Sequence, residues 1–413
     1  MQSHSFCVTI HPMGKTVELY YESAYITEFD AKVLECRERE DGKFEAVLDK
    51  TAFFPEQGGQ TPDFGVLITE DNEEFTVSYT GIGKTSDGAG DEIYHVIDKS
   101  IEAGACVHGR IDWEHRFSNM QQHTGEHIFS GIVNSKFGYD NVGFHLSDTE
   151  VTMDYNGALS TEDIKGIEKS VNEAIWKNIR VVASFPSEDE LKYIPYRSKK
   201  ELSGAIRIVN IEGYDSCACC APHVERTGEI GFLKVVSVRN YKGGVRVNIL
   251  CGKRALEFLT LGHEILSGLA ADFTTSFDKV SSSVSRLKDE NAALKAELYA
   301  EREKLLKYEL SEIDKDLKNV FLFKSADTDM NIMRKTVNML AEEHVGFCGM
   351  FAGNDSDGYR YIIASGKDGD DARTVAQLLR EKFGAKGGGS NLMVQGSIAG
   401  VSLDDISECC NNL

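Results

Sequence analysis

Residues 116–138 read RFSNMQQHTGEHIFSGIVNSKFG, and the apolar residues Phe117, Met120, Ile128, Phe129 and Ile132 recur close to helical spacing. On a helix His123 and His127 are four residues apart, so both rings lie on one face within reach of a single metal ion. Alone, the pair is better read as two unrelated histidines on a solvated face. A second half comes from CCAPHV, where Cys219 and His223 repeat the three-residue gap. Pro222 forbids a helix interior there, but a turn still lets both side chains converge. Three imidazoles and one thiolate make a tetrahedral set suited to Zn2+, one ion per chain. Cys217 and Cys220 are alternative thiols, since CACC packs all three into a short stretch; the spacing favours Cys219.

HTGEH also fits H-x-x-E-H, the inverted zinc-peptidase pattern in which the glutamate is general base. That reading needs a downstream carboxylate ligand, for which Glu201 or Glu212 is available, and it leaves Cys219 and His223 without a role.

Working outward, Val17 to about Arg110 alternates short apolar–polar runs (VELYY, KFEAVLD, FTVSYTG, EIYHVID) with Gly, Asp and Asn, the rhythm of a β-rich domain. Within it FFPEQGGQTPDFG (Phe53–Gly65) reads as a shaped loop, because paired glycines and two prolines interrupt any periodicity. A second helix is expected over STEDIKGIEKSVNEAIWKN, with Ser160 as N-cap and Asp163 as the capping-box acid. Strands are expected at RVVASF, AIRIVNI, GFLKVVSVRN and VRVNIL, so residues 111–255 form an α+β domain. Beyond Leu256 the spacing becomes a heptad: Leu266, Phe273, Phe277, Val280, Val284, Leu287, Leu294, Leu298 and Leu305, with polar breaks at Asn291 and Glu301. This predicts a coiled coil or long helical arm whose seam is covered by the helix around Met330–Glu343 or by a second copy, giving a homodimer. The remainder alternates helices and strands around an AKGGGS loop, a small α/β domain.

Composition bounds the rest. At about 150 residues per domain, 413 residues suggest roughly three folded units. With 41% hydrophobic and 27% charged residues, disorder throughout is excluded. The net charge of −21 gives no overall field for nucleic acid, so any RNA contact must come from local basic clusters, and no DNA partner is expected. No apolar stretch has the length of an export signal or a membrane span, so a cytoplasmic chain with no membrane partner and reduced cysteines is expected.

Taken together, TAFFPEQGGQTPDFG, MQQHTGEH, VGFHLSDTEVTMD, SCACCAPHVERTGEIG, GGVRVNILCGKRAL and AKGGGSNLMVQG stand in the order found in the free-standing alanyl-tRNA editing proteins of long form. The chain resembles these, and the editing and C-terminal parts of alanyl-tRNA synthetase without its aminoacylation domain. The resemblance implies an α+β multidomain chain with an N-terminal β-barrel-like domain (1–110), a zinc-binding editing domain (111–255), a coiled-coil arm (256–318) and a C-terminal α/β domain (319–413). It implies hydrolysis of mischarged tRNA(Ala), mainly seryl and secondarily glycyl, with zinc on His123, His127, Cys219 and His223. Where the family usually has two glycines and a threonine, this chain has Cys220, Ala221 and Pro222, a departure that keeps the ligand spacing.

Around that ester, Glu56, Gln57, Gly58, Gly59, Gln60 and Asp63 are the candidates for substrate binding, glycine allowing close backbone approach. Glu126, Asn141 and His145 are candidates near the reacting group, Glu126 being expected to point about 100° away from the histidine face. Serine over alanine is a discrimination that a hydroxyl-binding pocket makes well. The candidate RNA contacts are Arg197, Lys199, Lys200 and Arg207, then Arg239, Lys242 and Arg246, and the terminal Gly387, Gly388 and Gly389 flanked by Lys382 and Lys386. A non-catalytic tRNA-binding module with structural zinc is the remaining alternative.

Overall fold

The computed structural model describes residues 16–85, 88, 90–198, 205–367 and 369–413. Lys199, Lys200 and Glu201 lie outside the described residues. The chain divides into two compact units, Met1–Gly268 and Leu269–Leu413. Among the described residues no helix is long and apolar enough to cross a membrane.

The first unit opens with β1 (Val17–Glu18), β2 (Glu28–Glu38), β3 (Phe44–Leu48), β4 (Lys50–Thr51), β5 (Gly65–Thr69), β6 (Glu74–Lys84), β7 (Asp91–Ile97) and β8 (Cys106–Ile111). Six of them close into a barrel in the order β2-β3-β7-β6-β5-β8. Alternation drives this: along β2 the residues Phe29, Ala31 and Val33 turn inward and their neighbours outward, so one face of each strand fills the interior. Phe53–Gly65 runs between β4 and β5 as the loop that the paired glycines predict.

Next comes α1 (Trp113–Phe137), capped by the Asp112 side chain and ended by Gly138 in the left-handed region at φ 69°. It is followed by β9 (Asn141–Leu146), β10 (Val151–Tyr155), α2 (Thr161–Trp176), β11 (Val181–Ser184), α3 (Glu188–Leu191), β12 (Ile208–Ile211), β13 (Asp215–Ala218), β14 (Leu233–Tyr241), β15 (Gly244–Cys251) and α4 (Gly252–Asp272). At α2 the expected capping box forms, Asp163 N donating to Ser160 Oγ and the Asp163 carboxylate accepting from Ser160 N. A four-stranded sheet, β14-β15-β10-β9, and a three-stranded one, β11-β12-β13, share an apolar core with α1 and α2. The expected strands are all present; β9, β10 and β13 are additional. The last makes CACC half strand, with Cys217 inside β13 and Cys219 just beyond it, rather than one turn.

Helix α1 is buried from Asn119 through Val133, although this stretch holds Asn119, Gln121, Gln122, His123, Thr124, Glu126, His127 and Ser130. Burying so many polar groups costs a few kcal/mol each unless every one finds a partner, so the middle of this helix is organised for something other than packing.

In the second unit are α5 (Val280–Ser311), β16 (Val320–Lys324), α6 (Met330–Glu343), β17 (Phe347–Asn354), β18 (Gly358–Ser365), α7 (Arg373–Phe383), β19 (Lys386–Gly389), β20 (Met393–Ile398) and α8 (Leu403–Asn411), built on one sheet in the order β16-β17-β18-β20-β19. The GGG stretch is an edge strand, not a loop. A Cβ at Gly389 would sit 2.1 Å from the Met393 carbonyl oxygen, so the close pairing with β20 needs glycine. The heptad does not run through one helix either: α4 ends, Thr274 takes φ 48°, and α5 begins after a short 3-10 turn. Leu306 and Leu310, near the end of α5, pack with α6 against the sheet, whereas Leu287, Leu294, Leu298 and Leu305 are exposed.

Candidate metal centre

Helix α1 and the stretch after β13 bring His123, His127, Cys219 and His223 together, one donor atom of each lying within 4.8 Å of the others. The Cys219 Sγ is 3.6 Å from His123 Nε2 and 3.4 Å from His223 Nε2. A tetrahedron with one Zn–S bond and Zn–N bonds of usual length has an S–N edge of about 3.5 Å, so the donor set and its spacing fit zinc.

Each imidazole is oriented from behind. His123 Nδ1 meets Gln60 Oε1 at 2.8 Å. His127 Nδ1 meets Asp215 Oδ2 at 2.9 Å. The third, His223 Nδ1, lies 3.0 Å from Thr124 Oγ1, whose own proton goes to the Met120 carbonyl at 2.7 Å. All three partners accept, which places the ring proton on Nδ1 and leaves Nε2 as the metal-binding end.

The three thiols differ in their surroundings. Burial alone would raise the Cys219 thiol, but the facing His123 and His223 rings and hydrogen bonds from His123 and His127 hold it well below the usual range. Burial pushes Cys220 up to about 12 and raises Cys217. Burial also takes His223 down to about 3. His127 goes the other way: burial opposes its charge, and the bonds to Asp215 and Cys219 outweigh it. A field that holds a proton beside a buried thiolate also favours a cation there.

The loop Gln57–Gln60 lies against β9, with Leu146 N donating to Gly59 O at 2.7 Å. Gly59 has φ 83°, and a Cβ on it would be 2.6 Å from the Phe144 carbonyl oxygen. Gly58 and Gly59 are exposed while Gln60 is buried, and the Phe144 ring lies tilted against the His123 ring with centroids 4.7 Å apart. Two buried polar atoms of this loop, Gln60 Nε2 and Gln57 Oε1, have no partner among the described residues. Glu56, by contrast, is exposed and takes the Tyr79 hydroxyl at 2.6 Å.

Several expected site residues are otherwise engaged. Asp63 is fully buried in an ion pair with Arg116 and accepts from Phe54 N at 2.6 Å, which makes it a strut of the loop rather than a substrate contact. Arg197 and Arg207 do not face solvent as free phosphate ligands. Arg197 forks onto Asp215, and Arg207 donates to the Cys219 and Ala221 carbonyls at 3.0 and 2.8 Å with its guanidinium over the Tyr21 ring. Arg246 forks onto Asp154. Arg239, Lys242, Lys382 and Lys386 are exposed, as are Gly387, Gly388 and Gly389.

Glu126 is closer to the cluster than a 100° rotation suggests: it is fully buried with Oε2 3.9 Å from His127 Nε2, and Oε1 accepts from Ser130 Oγ and Asn141 Nδ2, both at 2.6 Å. Asn141 is thus at the site through Glu126. His145 is not; it is exposed on β9. Thr124 and Asp215 are the site residues that sequence reasoning missed, and the buried polar run of α1 and the acid four residues before Cys219 were the signals for them.

Comparisons with known proteins find two family models that match stretches of the chain. Residues 206–248 match the family described as "Threonyl and Alanyl tRNA synthetase second additional domain", and residues 9–115 match "tRNA synthetases class II (A)". Over these two stretches the chain is similar to parts of class II tRNA synthetases. Over longer stretches the chain is similar to alanyl proteins. It is 31% identical over 384 residues to an alanine–tRNA ligase of Ignicoccus hospitalis, covering 91% of this chain and 40% of the ligase. Against that of Pyrococcus furiosus it is 30% identical over 404 residues, 94% of this chain and 42% of the ligase. An alanyl-tRNA editing protein AlaX-L of Pyrococcus horikoshii is 33% identical over 249 residues, 58% of each chain. The chain therefore spans about two fifths of the curated ligases it matches.

Proposed function

We propose that the protein removes wrongly attached amino acids from tRNA(Ala), seryl mainly and glycyl secondarily, by hydrolysing the ester to the 3′ adenosine. The observation that carries this reading is the four-donor cluster, whose three histidines each present Nε2 because Nδ1 is held by Gln60, Asp215 and Thr124. His123, His127, Cys219 and His223 would hold zinc, which when bound supplies a positive centre for an ester carbonyl or its water.

The remaining work falls to the chain. Water adds to the ester carbonyl, the bond to the ribose oxygen breaks, and that oxygen recovers a proton. Gln60 Nε2, a buried donor without a partner among the described residues, would donate to the oxygen on which charge develops. Gln57 Oε1, a buried acceptor without a partner, is suited to a hydroxyl or ammonium of the aminoacyl group. The exposed Gly58 and Gly59 let the 3′ end approach backbone. Asn141 and Ser130 fix the Glu126 carboxylate beside His127, where it attracts the aminoacyl ammonium. Exposed Arg239, Lys242, Lys382 and Lys386 are the available phosphate contacts, and the exposed seam of α5 is the proposed homodimer contact.

The peptidase reading loses support because the cluster's fourth donor is a thiolate rather than a carboxylate. Incubation with seryl-tRNA(Ala) in parallel with a mixed peptide pool separates the two. Loss of the ester with peptides intact is expected; cleaved peptides with the ester intact would reverse the assignment.

A further inference from the structure

Arg197 enters this site from behind, and its place there is built by three elements. Its backbone is stitched to β13, Arg197 N donating to the Ser216 carbonyl at 2.8 Å and Arg197 O accepting from Ala218 N at 2.9 Å. The guanidinium forks onto one carboxylate, Nε to Asp215 Oδ1 at 2.8 Å and an Nη to Asp215 Oδ2 at 2.9 Å. The same Oδ2 receives the His127 Nδ1 proton at 2.9 Å. On the facing helix, Gly131 lies one turn beyond His127, and a Cβ there would be 2.2 Å from the Tyr214 carbonyl and 2.9 Å from Asp215 Cβ. Any larger residue would push α1 off β13, so glycine at 131 is what lets Asp215 reach His127.

We infer that Arg197, Asp215 and Gly131 form a positioning device for His127, with Arg197 locking the Asp215 carboxylate so that it fixes the tautomer and orientation of the ring, and that Arg197 takes no phosphate. The inference rests on the proposed metal site. A bidentate fork satisfies both carboxylate oxygens and leaves Asp215 one rotamer, whereas a free carboxylate beside an imidazole can turn away. His127, Asp215 and Cys217 also lie within ligand distance of one another, but the Arg197 cation on Asp215 makes that group an outer support and not a second cation site.

The test compares the full-length chain with Asp215→Asn, Arg197→Lys and Arg197→Met. Three quantities are read: zinc affinity by competition with a chromophoric chelator, the visible spectrum of the cobalt-substituted protein, and the salt dependence of tRNA binding. In Asp215→Asn the amide can turn its NH2 toward Nδ1 and move the ring proton to Nε2, so zinc affinity falls roughly 10- to 100-fold and the cobalt bands shift. Arg197→Met loses roughly 10-fold and Arg197→Lys less, because lysine keeps the charge without the fork. The tRNA salt slope stays that of the wild type in all three.

A merely structural Arg197 would lower the melting temperature while the folded fraction kept wild-type zinc affinity and cobalt bands, which overturns the inference. A salt slope reduced by about 0.7–0.9 in Arg197→Met marks a phosphate contact and also overturns it. Should Asp215→Asn not fold, Arg197→Lys decides on zinc affinity and cobalt bands. A wild-type chain that holds no zinc removes the site itself, a failure distinct from wild-type zinc with unaltered variants.

Discussion

Gln60 Oε1 accepts the Nδ1 proton of His123 at 2.8 Å, and with the Asp63–Arg116 ion pair this hydrogen bond ties the glycine loop of the barrel to the helix that carries His123 and His127. The loop is therefore part of the site. Its amide has two ends, Oε1 on the His123 ring and Nε2 buried and, among the described residues, without a partner. Substituting Gln60 by alanine is expected to lower kcat about 10²-fold through loss of that donor, with a smaller loss of zinc; single-turnover deacylation with metal analysis of the same sample checks both. Unchanged kcat would take Gln60 out of the chemistry.

Cys219→Ala should leave three imidazoles and release zinc, dropping bound metal from one per chain to well below it after dialysis, while Cys217→Ala and Cys220→Ala keep it. Elemental analysis of the three proteins decides which thiol is the ligand.

Gly59→Ala combines a left-handed φ of 83° with a Cβ 2.6 Å from the Phe144 carbonyl. A cost of about 1–3 kcal/mol is expected from backbone strain, together with a displaced loop and reduced hydrolysis at retained zinc. Urea unfolding and the deacylation rate measure the two effects.

His95 gives a pH dependence away from the metal. It is fully buried in the barrel between Thr51 Oγ1 and the Ala46 carbonyl, and burial lowers its pKa to about 4. With an unfolded value near 6.5 the unfolded chain takes up the proton first as pH falls, so this residue costs nothing above pH 6.5. Stability is lost between there and pH 4, about 3 kcal/mol in all. Urea melts followed by Trp113 fluorescence at pH 7 and pH 4.5 should show this loss, and His95→Gln should flatten it.

The exposed leucines of α5 predict that the chain is a dimer at micromolar concentration and that Leu294→Glu makes it a monomer. Light scattering on both proteins gives the masses; a monomeric wild type means that something else covers the seam.

Much of this was legible in the sequence because it depends on local rules. The alternation of β2, the Ser160–Asp163 capping box and the two three-residue gaps each state their geometry within a few residues. What was not legible depends on partners far along the chain. Arg197 and Arg207 look like surface charge until Asp215 and the Cys219 carbonyl are placed beside them, and Asp63 looks like a loop acid until Arg116 arrives from α1. The GGG stretch misled for a different reason: glycine usually signals a turn, but here it permits a tight edge pairing. The heptad continued in pattern across Phe273, where the backbone of Thr274 ends the helix.

The most direct measurement is the hydrolysis of seryl-tRNA(Ala) and alanyl-tRNA(Ala), side by side, by the zinc-loaded protein and by its His223→Ala variant. Rapid loss of the seryl ester, survival of the alanyl ester and an inactive variant are the predicted result. A seryl ester that outlasts incubation with folded, zinc-loaded protein would contradict the account.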